Sequence, residues 1–189
     1  MKATVKAGKA KREQRRELGP HAYESRMPGW LYEQLRRGAP VHHVNKIGRD
    51  GRLVRESFVE NEIAGLVQVL AQLCSSSPSV KRACLCDPSV QHVFKCKNEG
   101  GFCGYRNMQM LISQLQGSKI YGYERFGREI PGILQLQDMI EDAWDHNIDS
   151  LGRLQTGGIK GTRKWIGTPE VRFMSHLCFL PTDNEINRY

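Results

Sequence analysis

Nine consecutive residues constrain this chain more than any other stretch: Glu99-Gly100-Gly101-Phe102-Cys103-Gly104-Tyr105-Arg106-Asn107, running straight into an amphipathic pattern. Met108, Leu111, Ile112 and Leu115 recur at helical spacing, which predicts a helix that begins at Cys103 or Gly104 and ends at Gly117. A cysteine at that point meets unpaired backbone N–H groups and a partial positive charge, both of which favour a thiolate. A free cysteine, with a pKa of about 8.5, is mostly protonated at neutral pH, so such a setting suits a nucleophile. The same amides can bind the oxyanion of a tetrahedral intermediate. Gly100, Gly101 and Gly104 leave room for a substrate backbone near the sulfur. A buried cysteine that merely opens a core helix fits the pattern as well. The pattern alone leaves both readings open.

The rest of the chain supplies helices around this turn. Pro28 suits a first helical position and Gly38 a stop, with Trp30, Leu31, Tyr32 and Leu35 as the apolar side, for docking on the domain or on a partner. Gly48 to Arg52 reads as a turn. Ile63, Leu66, Val67, Leu70 and Leu73 mark one face of a helix that stops before Ser75-Ser76-Ser77-Pro78. Residues 82–94 hold apolar patches suited to short strands. A further helix is expected from Pro131 to about Trp144, with Ile133, Leu136, Ile140, Ala143 and Trp144 inward. Its carboxylates Asp138, Glu141, Asp142 and Asp145 read as a solvated face. Gly152 to Gly161 reads as a glycine-rich loop. A last helix opens at Thr168-Pro169-Glu170, with Thr168 as cap and Val171, Met174 and Leu177 on its apolar side.

Charge is unevenly placed. The formal net charge is +8, and residues 1–17 carry seven Lys or Arg against Glu13 and Glu17. Residues 2–16 are therefore a candidate contact for nucleic acid, or else a solvated flexible end. The expected organisation is a basic lead-in over 1–19, a partial catalytic domain over 20–178 and a divergent tail over 179–189. No run of about 18 apolar residues is present, so no helix is expected to span a membrane. The basic N-terminus has no apolar run behind it, unlike a secretory signal, which points to the cytoplasm or nucleus. The six cysteines are too irregularly spaced for a disulfide framework. Cys84, Cys86, His92 and Cys96 could be arranged as zinc ligands, but Cys-x-Cys is an uncommon spacing for a structural site. Packed thiols are the preferred reading, and no metal is expected.

The stretch Gly101 to Leu111 resembles the nucleophile box of the papain-like cysteine peptidases specific for ubiquitin and ubiquitin-fold modifiers, most closely their zinc-finger-containing deubiquitinase branch. Ile130-Pro131 to Trp144 and Gly161-Thr162-Arg163-Lys164-Trp165-Ile166-Gly167-Thr168-Pro169-Glu170 agree with it in order, over roughly residues 18–172. The resemblance implies an α+β papain-like fold, hydrolysis of isopeptide bonds in polyubiquitin or a related conjugate, and no cofactor. It makes Cys103 the nucleophile and Gly101, Gly104, Tyr105 and His92 the candidates for the oxyanion site or cleft wall. Trp165 and Gly167 are the substrate-facing candidates. Ubiquitin, polyubiquitin or a related modifier is the implied partner.

A thiol peptidase also needs a histidine to protonate the leaving amine and a group to orient it. In this family both follow the Trp-Ile-Gly-Thr-Pro-Glu box on strands, whereas here residues 179–189 do not resemble those strands. His176 and Asp183 are poor substitutes, since His176 falls near the apolar side of the last helix. The chain is thus expected to be trimmed at both ends, and the helices near 61–74 and 104–116 to risk losing a packing partner. Two competing readings follow from this. One is an inactive fragment that binds ubiquitin through the helices near 28–37 and 61–74. The other is a module tethered to nucleic acid by its basic tail.

Overall fold

The helix expected at the cysteine forms, and its inward residues belong to the core that holds the helices together. The structure, a computed structural model, describes residues 18–120 and 122–171. Helix α1 spans Gly29–Arg37 and is followed by strands β1 (Val41–Ile47), β2 (Leu53–Val59) and β3 (Glu62–Ile63). Helix α2 (Leu66–Ser76), strand β4 (His92–Val93) and the central helix α3 (Cys103–Ser118) come next. A 3-10 turn at Tyr123–Phe126 leads to α4 (Ile133–Asp145) and the short α5 (Leu151–Thr156). Residues 168–171 form the first turn of a further helix. The result is an α+β arrangement with two small antiparallel sheets, β1–β2 and β3–β4.

One core holds the helices together. Leu31 and Leu35 of α1, Tyr105, Met108 and Ile112 of α3, and Ile133, Leu136, Ile140, Ala143 and Trp144 of α4 are buried in a single cluster. Met27, Phe102, Phe126 and Ile159 close it from the connections. The inward face of α4 is the one its sequence period predicts. On α3, Met108 and Ile112 are inward, while Leu111 is exposed and Leu115 only partly covered. That helix also outruns its expected stop at Gly117. It ends where Lys119 takes a left-handed conformation, φ 49°. Gly117 instead answers a close approach: a Cβ there would lie 2.7 Å from the Ser89 side chain.

The chain between α1 and α3 departs further from its sequence pattern. The turn at Gly48–Arg52 joins two seven-residue strands into a hairpin, with Val41 opposite Val59 and Ile47 opposite Leu53. Asp50-Gly51 between two apolar-rich segments is the sequence signal for it. No residue of either strand is buried, and cross-strand pairs hold it together: His42 stacks on Phe58 at 5.3 Å, and Lys46 meets Glu56 at 2.6 Å. Ile63 lies in β3 rather than in the helix, which starts at Leu66. No residue of α2 is fully buried, and Leu70 and Leu73 face solvent. Only His92–Val93 of the 82–94 stretch is a strand. Cys84 and Cys86 are exposed thiols, not packed ones.

An ion pair fixes the turn that leads into α3. Glu99 has no exposed side-chain surface and pairs with Arg106, itself nearly buried. Both Glu99 oxygens accept from the guanidinium, and Oε2 also accepts the Cys96 N–H at 2.9 Å. Arg106 in turn donates to Gln109 Oε1 at 2.7 Å, and Gln109 Nε2 to the Pro131 carbonyl at 2.7 Å. Removing one member of a buried pair leaves the other charge uncompensated. Arg106→Ala is therefore expected to cost about 3–5 kcal/mol in urea unfolding. Arg36→Ala, which breaks the exposed Arg36–Glu33 pair, is expected to cost less than about 1 kcal/mol.

Candidate active site

Cys103 is the first residue of α3, and its side chain is exposed. It opens into a groove of about 340 Å³ built from four pieces of chain: Leu18, the start of α3, Gln155, and Trp165 to Glu170. Larger clefts exist, of about 730 Å³ beside α1 and α4 and about 810 Å³ between the hairpin and α3. Neither is lined by Cys103. Chemistry, not volume, singles out the smaller groove.

The far wall is placed by a relay of hydrogen bonds from α4. Gln137 is fully buried, donates to the Thr162 carbonyl at 2.9 Å and accepts the Gly161 N–H at 2.9 Å. Glu141 Oε1 accepts the N–H groups of Ile159 and Lys160 at 2.7 and 2.9 Å. So Glu141, expected on a solvated face, anchors a loop, while Asp142 and Asp145 are exposed. Half of the expected glycine-rich loop is helix α5, and the rest is pinned as a connection on α4.

A strap from the N-terminal side completes the wall. Arg163 pairs with Glu24 at 2.5 Å, the Met27 N–H donates to the Gly161 carbonyl at 2.8 Å, and the Trp165 N–H donates to the Leu18 carbonyl at 2.9 Å. Gly19, at φ +81°, lies flat under the indole of Trp165, where a Cβ would come within 2.5 Å of the ring. Leu18 and Gly19, taken from the sequence as lead-in, thus belong with the groove. The pKa of Glu24 is lowered. Burial raises it, but the Arg163 hydrogen bonds and charge outweigh that.

The glycines around the sulfur serve this wall. A Cβ on Gly101 would lie 2.6 Å from the Trp165 indole nitrogen, and one on Gly104 would lie 2.8 Å from the Ile166 side chain. The room they leave is taken by Trp165 and Ile166, which brings that segment within reach of Cys103. At the other end Gly167 caps the next helix: its N–H donates to Glu170 Oε2 at 2.7 Å, and Val171 N–H donates to its carbonyl. The cap is Gly167, one residue before the expected Thr168.

Of the residues singled out in the sequence, Cys103, Gly101, Gly104, Tyr105, Trp165 and Gly167 all line the groove. His92 does not. It pairs with Ile63 and stacks near Phe94 at 6.2 Å. The Tyr105 ring is buried and its hydroxyl meets Gln137 Nε2 at 3.4 Å; burial pushes the phenol well above the usual tyrosine range, so it stays neutral. Leu18, Asn107, Gln155 and Glu170 are groove residues that the sequence reading did not pick out. Asn107 alone had a signal, one turn beyond Cys103 on the same helix face. Burial raises the thiol pKa of Cys96 despite the nearby Arg106. His176, Asp183 and the basic residues 2–16 lie outside the described residues, as do the expected tail at 179–189 and most of the last helix.

The sequence profile described as peptidase family C78 matches residues 79–184. Zinc finger-containing ubiquitin peptidase 1 of Homo sapiens is 30% identical over 167 residues, covering 87% of this chain and 27% of that protein. Its Mus musculus counterpart is 33% identical over 114 residues, 59% of this chain and 20% of that protein. Ubiquitin carboxyl-terminal hydrolase mug105 of Schizosaccharomyces pombe is 37% identical over 91 residues, 46% of this chain and 36% of that protein. The chain thus spans about a fifth to a third of these relatives' lengths.

The two glycines make an asymmetric prediction. Ala at 104 gains helix propensity of up to about 1 kcal/mol but presses on Ile166, including its backbone carbonyl at 3.1 Å. Overpacking of about 1–3 kcal/mol is expected to win, lowering Tm and slowing alkylation of Cys103. Gly101→Ala meets only the side chain of the partly exposed Trp165 and no backbone atom, so its Tm should fall less.

Proposed function

The chain belongs to peptidase family C78, and from that premise we propose that it is a thiol-dependent hydrolase of isopeptide bonds in ubiquitin-type conjugates. The observation that carries this reading is Cys103 itself: an exposed sulfur on the first residue of a sixteen-residue helix, inside a groove walled by Trp165 and Gly167. The names of its relatives, ubiquitin peptidases and a ubiquitin hydrolase, supply the substrate class. We extend the fold to the papain-like arrangement, in which a nucleophilic cysteine opens the central helix and the opposite wall carries the groups that handle the proton.

The residues divide the chemistry as follows. The substrate tail lies between the start of α3 and the Trp165–Gly167 segment. Cys103 Sγ, as thiolate, attacks the scissile carbonyl. Charge develops on the carbonyl oxygen next to the unpaired N–H groups of the first turn of α3, which stabilise it without reorganising. Collapse of that intermediate forms a thioester and expels the lysine amine, which must take up a proton. Water then hydrolyses the thioester. The histidine and acid that the family resemblance assigns to the proton transfers would follow the Trp165 to Glu170 stretch, outside the described residues. No cofactor enters any step.

The buried ion pair and Gln137 position the groove without touching substrate. Glu99 and Arg106 flank Cys103 in sequence and clamp the turn that presents it. Gln137 and Glu141 set the opposite wall.

Incubating the purified chain with polyubiquitin should release ubiquitin, and Cys103→Ala should reduce release to the no-enzyme background with Tm unchanged. Release that persists in the variant would remove Cys103 as nucleophile. Ubiquitin binding by the wild-type chain without any release would favour a binding module instead.

A further inference from the structure

Helix α5 is amphipathic in the wrong sense for a packed surface helix. Gly152 and Thr156 face inward: Gly152 lies against Trp144 and Glu170, and Thr156 is buried. Leu151, Leu154 and Gln155 fall at i, i+3 and i+4 and therefore share the outward face. The two leucines are 68% and 79% exposed, and Leu154 is the most exposed large apolar residue among those described. Single exposed leucines are ordinary on a protein surface. These two are not single, because Gln155 on the same face lines the Cys103 groove together with Trp165, itself 43% exposed.

We infer that Leu151 and Leu154 form an apolar ledge that docks the folded body of the modifier whose tail enters the groove; this rests on the reading of Cys103 as a peptidase nucleophile. The ledge is continuous with the groove through Gln155, so a tail lying along Trp165 brings its parent domain over α5. The ion pairs of Arg153 with Glu141 and Asp145 sit on the adjoining side of the same helix and give the ledge a polar rim. The occupant this surface fits is a small folded domain with an exposed apolar patch close to its C-terminal tail. A tail alone would gain nothing from it.

The test separates the body from the tail. Leu154→Glu is placed in the full chain, with circular dichroism and Tm confirming the fold, and Leu151→Glu serves as the second variant. Ubiquitin affinity is measured by titration in the Cys103→Ala background. kcat/KM is measured on ubiquitin carrying a C-terminal fluorophore and on a short peptide of the ubiquitin tail carrying the same fluorophore. Each leucine variant should weaken ubiquitin binding and lower kcat/KM on ubiquitin by about tenfold, with the peptide rate within about twofold of wild type. Unchanged ubiquitin affinity, absence of any binding, or equal slowing on both substrates would overturn the ledge. Binding that the leucine variants weaken, with no turnover of either substrate by the wild-type chain, would leave the ledge standing and remove the proposed hydrolysis.

Discussion

The Glu99–Arg106 pair is the interaction on which the rest of this structure depends. A carboxylate with no exposed side-chain surface is tolerable only with a partner, and Arg106 provides it. Glu99 lies four residues before Cys103 and Arg106 three after, so the pair closes the chain around the nucleophile turn. Buried ion pairs often contribute little net stability relative to apolar packing. What this one contributes is placement. It sets where the Gly100-Gly101 approach meets the first turn of α3, and through Gln109 and Pro131 it ties that turn to the start of α4.

The opposite wall repeats the same logic with neutral groups. Gln137, between the inward Leu136 and Ile140 of α4, spends its amide on the backbone of the 161–162 turn. Glu141, one turn on, holds the amides of 159 and 160. A polar residue on the buried side of a helix thereby converts a loop into a rigid support. Trp165 and Ile166 are carried by that support onto Gly101 and Gly104. The groove is thus defined by two polar networks, one on each side, joined through the core of α3 and α4.

The sequence made the helices legible because their periodicity is driven by burial. The inward face of α4, the buried Met108 and Ile112, and the start of α3 at Cys103 all follow from apolar spacing and the glycines before it. The departures have separate causes. Ile63 to Leu73 keeps a helical period, but β3 claims Ile63 and no residue of α2 is fully buried, so the period does not mark where the helix starts. The hairpin strands show no clear period in the sequence because they carry mixed faces, with His42, Asn45, Lys46 and Arg55 among the valines. Glu141 and Gln137 could not be told from surface residues, since their partners are backbone groups 18 to 25 residues away. His92 entered by resemblance alone, and in this structure it stands off the groove. Leu18, Gln155 and Glu170 reached the groove through tertiary packing that no local pattern encodes.

The central claim is that the sulfur at the amide end of α3 is the atom that takes the acyl group. Reacting the chain with ubiquitin bearing a C-terminal electrophile, then digesting and mapping the adduct by mass spectrometry, tests it directly. The account predicts one adduct per chain, on the peptide containing Cys103, with the exposed Cys84 and Cys86 unmodified. An adduct distributed over Cys84 and Cys86, or none on Cys103, would contradict it.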